Sequence, residues 1–166
     1  GNGLWLVAAS YDWQWITVAI IVFMLVSLFR MNQLLNKLAD EGVSFSYWAE
    51  RVVFSLYFAW ITLATVLNVA SALNFYDWSG WGLSEVNWTL LMGAIAVGIT
   101  AYTALKFRDA VYPLVVVWAF TALAVKHYGS EPILVALAAV AIVVSLGVVF
   151  QVRALKGRNN GLTSNF

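Results

Sequence analysis

Cysteine is absent from the 166-residue chain, which removes disulfide frameworks, thiolate nucleophiles, iron–sulfur clusters and cysteine-zinc sites together. Histidine occurs once, at His127, too little for a histidine-based triad or a multi-histidine metal site. Charge is scarce. Only 10% of residues are charged, against about 25% in a soluble domain. The net charge of +1 excludes the basic footprint that nucleic-acid binding needs. What fills the space is apolar, at 63% of residues against about 45–50% in soluble domains. Such an excess needs an apolar solvent, and that solvent is a lipid bilayer.

Charge-free stretches of about 17–25 residues match a hydrocarbon core about 30 Å thick. Five segments qualify: Trp13 to Phe29, Val52 to Leu73, Trp88 to Leu105, Ala110 to Val125 and Ile133 to Val152. All are expected to be helices, because an open strand in lipid leaves backbone groups unpaired. The fold class is thus all-α, a polytopic bundle with five transmembrane helices. The fourth span is short, with Pro113 near its start, where a missing N–H costs little. It follows the tight turn Lys106-Phe107-Arg108-Asp109. Ser84 is the expected N-cap of the third span, with Glu85 in its first turn.

The first helix should run past the membrane, because Leu34, Leu35 and Leu38 keep helical spacing until Gly42 stops it. Residues 1–10 are too short for a span and read as the trailing end of a longer segment, so an N-terminal portion is expected upstream. The tail from 157 to 166 is polar and expected to fray.

Arg30, Lys37 and Arg51 flank the first long loop, Lys106 and Arg108 the tight turn, and Arg153, Lys156 and Arg158 the tail. These connections alternate with loops nearly free of positive charge, which puts the C-terminus on the cytoplasm-like side of a bacterial inner membrane or an organelle membrane. Tyr11, Trp13, Trp15, Tyr76, Trp78, Trp81, Trp88 and Tyr128 gather on the opposite side as an aromatic belt. No ionisable residue falls in mid-membrane, which argues against an ion or proton pathway.

At 100° per residue, Tyr57, Trp60, Ala64, Leu67, Asn68 and Ser71 share one face of the second span, and Ser55, Ala59 and Thr62 fall on the other. The first face is expected to point into the bundle, with Asn68 paired to a neighbouring helix. Helix packing accounts for the small and polar residues; so does a wall with room beside it for a ligand. In the third span Ala94 and Gly98, with Ala101 beside them, form a small-residue face suited to packing. His127, at the outer end of the fourth span, could ligate the metal of a bound cofactor or simply be hydrogen-bonded. Asp77, Glu85 and Glu131 lie in outer loops, as a carboxylate pair or as solvated charges.

The run Leu56-Tyr57-Phe58-Ala59-Trp60-Ile61-Thr62-Leu63-Ala64-Thr65-Val66-Leu67-Asn68 resembles the last-helix signature of the TspO/MBR family, the tryptophan-rich sensory or translocator proteins, which reads P-Y-x-x-W-x-x-x-A-T-x-L-N. Asn2-Gly3-Leu4-Trp5 is similar to the end of that family's third-helix motif, L-N-x-x-W. Ser55 replaces the family's proline. The resemblance covers roughly residues 1–75, with residues 76–156 looking like the three added spans of an extended form and the family's first two helices absent from this chain. It implies a bundle that binds tetrapyrroles, sterols or other flat apolar ligands near one membrane face, with Trp5, Trp60, Ala64 and Leu67 at the ligand. Porphyrin, chlorophyll and haem are the candidate cofactors.

Two functions follow. One is a membrane receptor or carrier for a flat hydrophobic ligand, a tetrapyrrole first and a sterol or isoprenoid next. The other is a non-catalytic accessory subunit of a larger membrane complex, holding pigments or lipids. A homo-oligomer fits either, and an enzyme breaking down tetrapyrroles has support from the resemblance alone.

Overall fold

The computed structural model describes residues 1–43, 51–76, 78 and 82–163, with side chains through residue 155. Its described residues form six helices: α1 (Asn2–Ser10), α2 (Gln14–Asp40), α3 (Val53–Phe75), α4 (Glu85–Lys106), α5 (Tyr112–His127) and α6 (Pro132–Thr163). Four are long and apolar enough to cross a membrane: α2, α3, α4 and the Pro132–Leu155 part of α6. The fourth expected span, α5, has 16 residues, about 24 Å of helix, shorter than a full crossing. The polytopic helical bundle stands. Helix α6 continues through residue 157 to Thr163, past the point where the polar tail was expected to fray.

The chain divides into two compact units, Gly1–Trp88 and Thr89–Phe166. In the first, α2 and α3 pack antiparallel: Thr17 meets Asn68 near one end, Ile21, Met24 and Ile61 form the centre, and Arg51 Nη2 donates to Asn36 Oδ1 at 3.4 Å at the other end. Helix α1 folds back on α2. Its end is set by a turn in which the Trp13 N–H reaches the Ala8 carbonyl and the Asp12 N–H reaches that of Ala9. That turn needs a left-handed residue, and Asp12 supplies it at φ 56°.

The same device ends α2, where Gly42 has φ 89° and the Val43 N–H donates to the Leu38 carbonyl. The first long helix therefore continues through Leu34, Leu35 and Leu38 and stops at the Gly42 turn, as its leucine spacing predicts. A third such turn ends α4 with Arg108 at φ 49°. Asp109 then accepts from the Val111 and Tyr112 N–H groups at 2.8 and 3.3 Å, so one tight turn closes α4 and opens α5. Ser84 Oγ accepts from the Asn87 N–H at 3.3 Å, the expected cap of α4.

In the second unit, α5 and α6 form a hairpin, and of the α4 residues read from the sequence as a packing face only Ala101 packs, against Ala104, Val148 and Val152. Ala94 and Gly98 are exposed, and a Cβ on Gly98 would meet nothing within 4 Å. The buried residues of α4 are Ala96, Thr100, Thr103 and Ala104, with Gly93 so close to α6 that a Cβ there would lie 2.9 Å from Leu137 Cδ2. Ala104 packs with Val148 and Val152. Small-residue spacing locates a face on which helices can approach, but α4 carries several such spacings, and only packing selects among them.

Candidate functional site

The residues that carry the motif resemblance gather on α1, α2 and α3. Trp5 of α1 packs against the core of Ile21, Met24 and Ile61, together with Tyr57 and Ala64 of α3. One turn before Trp5, Asn2 Oδ1 accepts the Tyr57 hydroxyl at 2.9 Å. A Cβ on Gly1 would sit 2.8 Å from Met24 Sδ, so the start of α1 lies against α2. Trp5, Tyr57 and Ala64 thus share one cluster.

Asn68 is paired across helices, as expected of an amide in hydrocarbon. Thr17, 2% exposed, has its hydroxyl 3.0 Å from Asn68 Oδ1 and 2.7 Å from the Gln14 carbonyl. One hydroxyl proton cannot serve both acceptors fully. Turning the Asn68 amide by half a revolution presents its NH₂ to Thr17 and leaves the Thr17 proton for Gln14, which satisfies all three groups.

The inward orientation expected for Trp60 and Leu67 is overturned, since they are 47% and 70% exposed. Ser55, Ala59 and Thr62, on the face read as opposite, are buried. The physical reason is that α3 is apolar around its whole circumference. In lipid the outside of a bundle is as apolar as its inside, so hydrophobicity alone does not orient such a helix. Ala64, between Trp60 and Leu67 on the helix surface, is half-buried and turned to the core.

Among the described residues three buried side-chain polar atoms have no hydrogen-bond partner, Trp5 Nε1, Ser55 Oγ and Ser145 Oγ, and the indole N–H of Trp5 is the one on a flat aromatic ring. An unpaired buried donor costs about 1–3 kcal/mol. The sequence reading singled out Trp5 for its ring and gave no sign that its N–H is left over. Most buried hydroxyls nearby have local partners. Thr62 and Thr65 donate to the carbonyls of Phe58 and Ile61.

At the α1–α2 turn and the end of α3 the belt aromatics pair among themselves. Tyr11 stacks on Trp13 with centroids 5.3 Å apart, and Trp15 on Tyr76 at 5.6 Å and 11°. Trp78 meets Trp88 edge-on at 4.9 Å. Trp81 and Asp77 lie outside the described residues. His127, in the last turn of α5, is half-buried. Among the described residues no group of three or more His, Asp or Glu side chains could hold a metal ion.

A family model described as TSPO-like protein matches residues 1–151. The chain belongs to the TSPO-like family. The match continues beyond residue 75 and through α4, α5 and most of α6, so the similarity takes in the later helices as well as the motif-bearing ones. Among curated proteins and solved structures none matches the chain. Family membership and the apolar helices make this TSPO-like protein an integral membrane protein.

Proposed function

We propose that this TSPO-like protein is a membrane receptor or carrier for a flat hydrophobic ligand, with tetrapyrroles first and sterols or isoprenoids next. The observation that carries the reading is the buried Trp5 N–H without an acceptor, in the cluster that also holds the small side chain of Ala64. An indole presents a flat face for stacking and one donor for orientation, the combination by which apolar pockets fix planar ligands. A ring lying on Trp5 and Ala64 would enter from the lipid side, past Trp60 and Leu67. His127, on α5, is a candidate ligand for the metal of a metal-bearing tetrapyrrole. The lysine and arginine distribution supports a C-terminus on the cytoplasm-like side.

The test is titration of the full chain in lipid nanodiscs with protoporphyrin IX. Tryptophan fluorescence should quench saturably, and Trp5→Phe should weaken binding several-fold while Trp88→Leu leaves it unchanged. The variant keeps an aromatic face and loses the donor, worth about 0.5–1.5 kcal/mol, or roughly two- to tenfold. Absence of saturable quenching, with copurification at fixed stoichiometry with another membrane complex, would favour the accessory-subunit reading.

A further inference from the structure

One face of α4 is apolar, exposed and closed at its end by a charge. Leu91, Ile95, Ile99 and Tyr102 are all exposed and recur every three or four residues, so they share a face, with Lys106 in line one turn further on. The opposite face is covered. Ala104, about 200° round the helix from both Tyr102 and Lys106, packs with Val148 and Val152 of α6.

Lys106 Nζ lies 3.0 Å from the Tyr102 hydroxyl oxygen and 5.2 Å from the centre of its ring. An ammonium has donors alone, so the hydroxyl accepts from it and keeps its own proton for another acceptor. None of the described residues takes that proton. A lysine at the end of a span ordinarily extends toward water, whereas this one is held against a side chain rooted one turn deeper. Two residues on, Arg108 is exposed. The acid of the same turn, Asp109, is engaged with the Val111 and Tyr112 N–H groups.

We propose that this end of α4 holds an anionic phospholipid, its phosphate on the Lys106 ammonium and the Tyr102 hydroxyl and one acyl chain along Ile99, Ile95 and Leu91. A phosphate brings acceptor oxygens for the phenolic proton together with a charge opposite to that of Lys106. The apolar track is of matching length: about 16 Å of helix separates Leu91 from Tyr102, close to half of a hydrocarbon core about 30 Å thick. A zwitterionic headgroup fits less well, because its own cation would meet Lys106 and Arg108.

The full chain in detergent micelles is titrated with dioleoyl phosphatidylglycerol, dioleoyl phosphatidylcholine or glycerol 3-phosphate, and bound molecules are counted by native mass spectrometry. Phosphatidylglycerol should bind about three- to tenfold more tightly than phosphatidylcholine, and glycerol 3-phosphate should not be retained. Lys106→Gln should abolish the preference, and Lys106→Arg should keep it. Tyr102→Phe should weaken both lipids about two- to fivefold, since the phosphate is common to them. Arg153→Gln removes the same charge from an exposed position of α6 and should change nothing. An undiminished preference in Lys106→Gln overturns the site, and so does an equal loss in Arg153→Gln, which would mark a general attraction of positive charge. Retention of glycerol 3-phosphate as firm as that of phosphatidylglycerol overturns the lipid in favour of a free phosphate ester. Should Lys106→Gln fail to fold, Tyr102→Phe decides: binding of both lipids unchanged in it overturns the proposal.

Discussion

Thr17 and Asn68 meet across α2 and α3 with 3.0 Å between hydroxyl and amide, one turn along α2 from Ile21 and two turns along α3 from Ile61 of the buried cluster. Interhelical polar pairs in membranes are worth about 0.6 kcal/mol on average and about 1.7 at most, because the unfolded helices also find partners. Thr17→Val and Asn68→Leu should therefore each destabilise the protein modestly. Together they should cost less than their sum, by a coupling in that range. Strict additivity in reversible denaturant unfolding from mixed micelles would mean that the contact contributes nothing of its own.

At the end of α1 an aspartate adopts the left-handed conformation usually given to glycine, with Asp12 at φ 56°. Relieving that strain is worth about 1–2 kcal/mol, partly offset by the greater freedom of glycine in the unfolded chain. Asp12→Gly should stabilise by about 0.5–1 kcal/mol. Gly42→Ala, at φ 89°, should do the reverse by about 1 kcal/mol or somewhat more. Thermal unfolding of the two variants side by side would check the opposite signs.

Two glycines of α4 should respond differently to the same change. A leucine at position 93 must displace Leu137 and Phe120, whose atoms lie 2.9 and 3.5 Å from the Cβ position, so Gly93→Leu should cost about 1–3 kcal/mol by overpacking. Gly98→Leu enters open space and should be neutral or slightly stabilising, as leucine is the better helix former. Equal destabilisation by both would show that the face bearing Ala94 and Gly98 is covered in the membrane.

The chain's lack of cysteine makes single-cysteine labelling clean. Glu41→Cys and Lys106→Cys should label from the cytoplasm-like side of sealed vesicles, and Tyr128→Cys, at an 83% exposed position, from the other. The comparison of Lys106 with Tyr128 is the demanding one. It asks whether the 16 residues of α5 cross the bilayer, which they can do if the bilayer thins locally or the helix ends draw polar groups inward. Labelling of both from one side would reduce the chain to four crossings.

Several features follow from the sequence by itself because their causes are local. The scarcity of charge compels helices in lipid. Helix ends at Gly42 and Ser84 depend on backbone geometry and one short side chain, and the demand of Asn68 for a partner follows from the cost of a bare amide in hydrocarbon. Even the motif residues Asn2, Trp5, Tyr57 and Ala64 could be named before any coordinates. Which side of α3 turns inward could not, because a helix apolar all round carries no record of its orientation when lipid and protein interior are equally apolar. Tertiary packing alone buried Ser55, Ala59 and Thr62 and left Trp60 and Leu67 outside. It also chose Gly93 over Gly98 as the close approach. And it left the Trp5 N–H buried without an acceptor, because hydrogen-bond satisfaction depends on which atoms arrive from distant parts of the chain, and no spacing within a single helix encodes that.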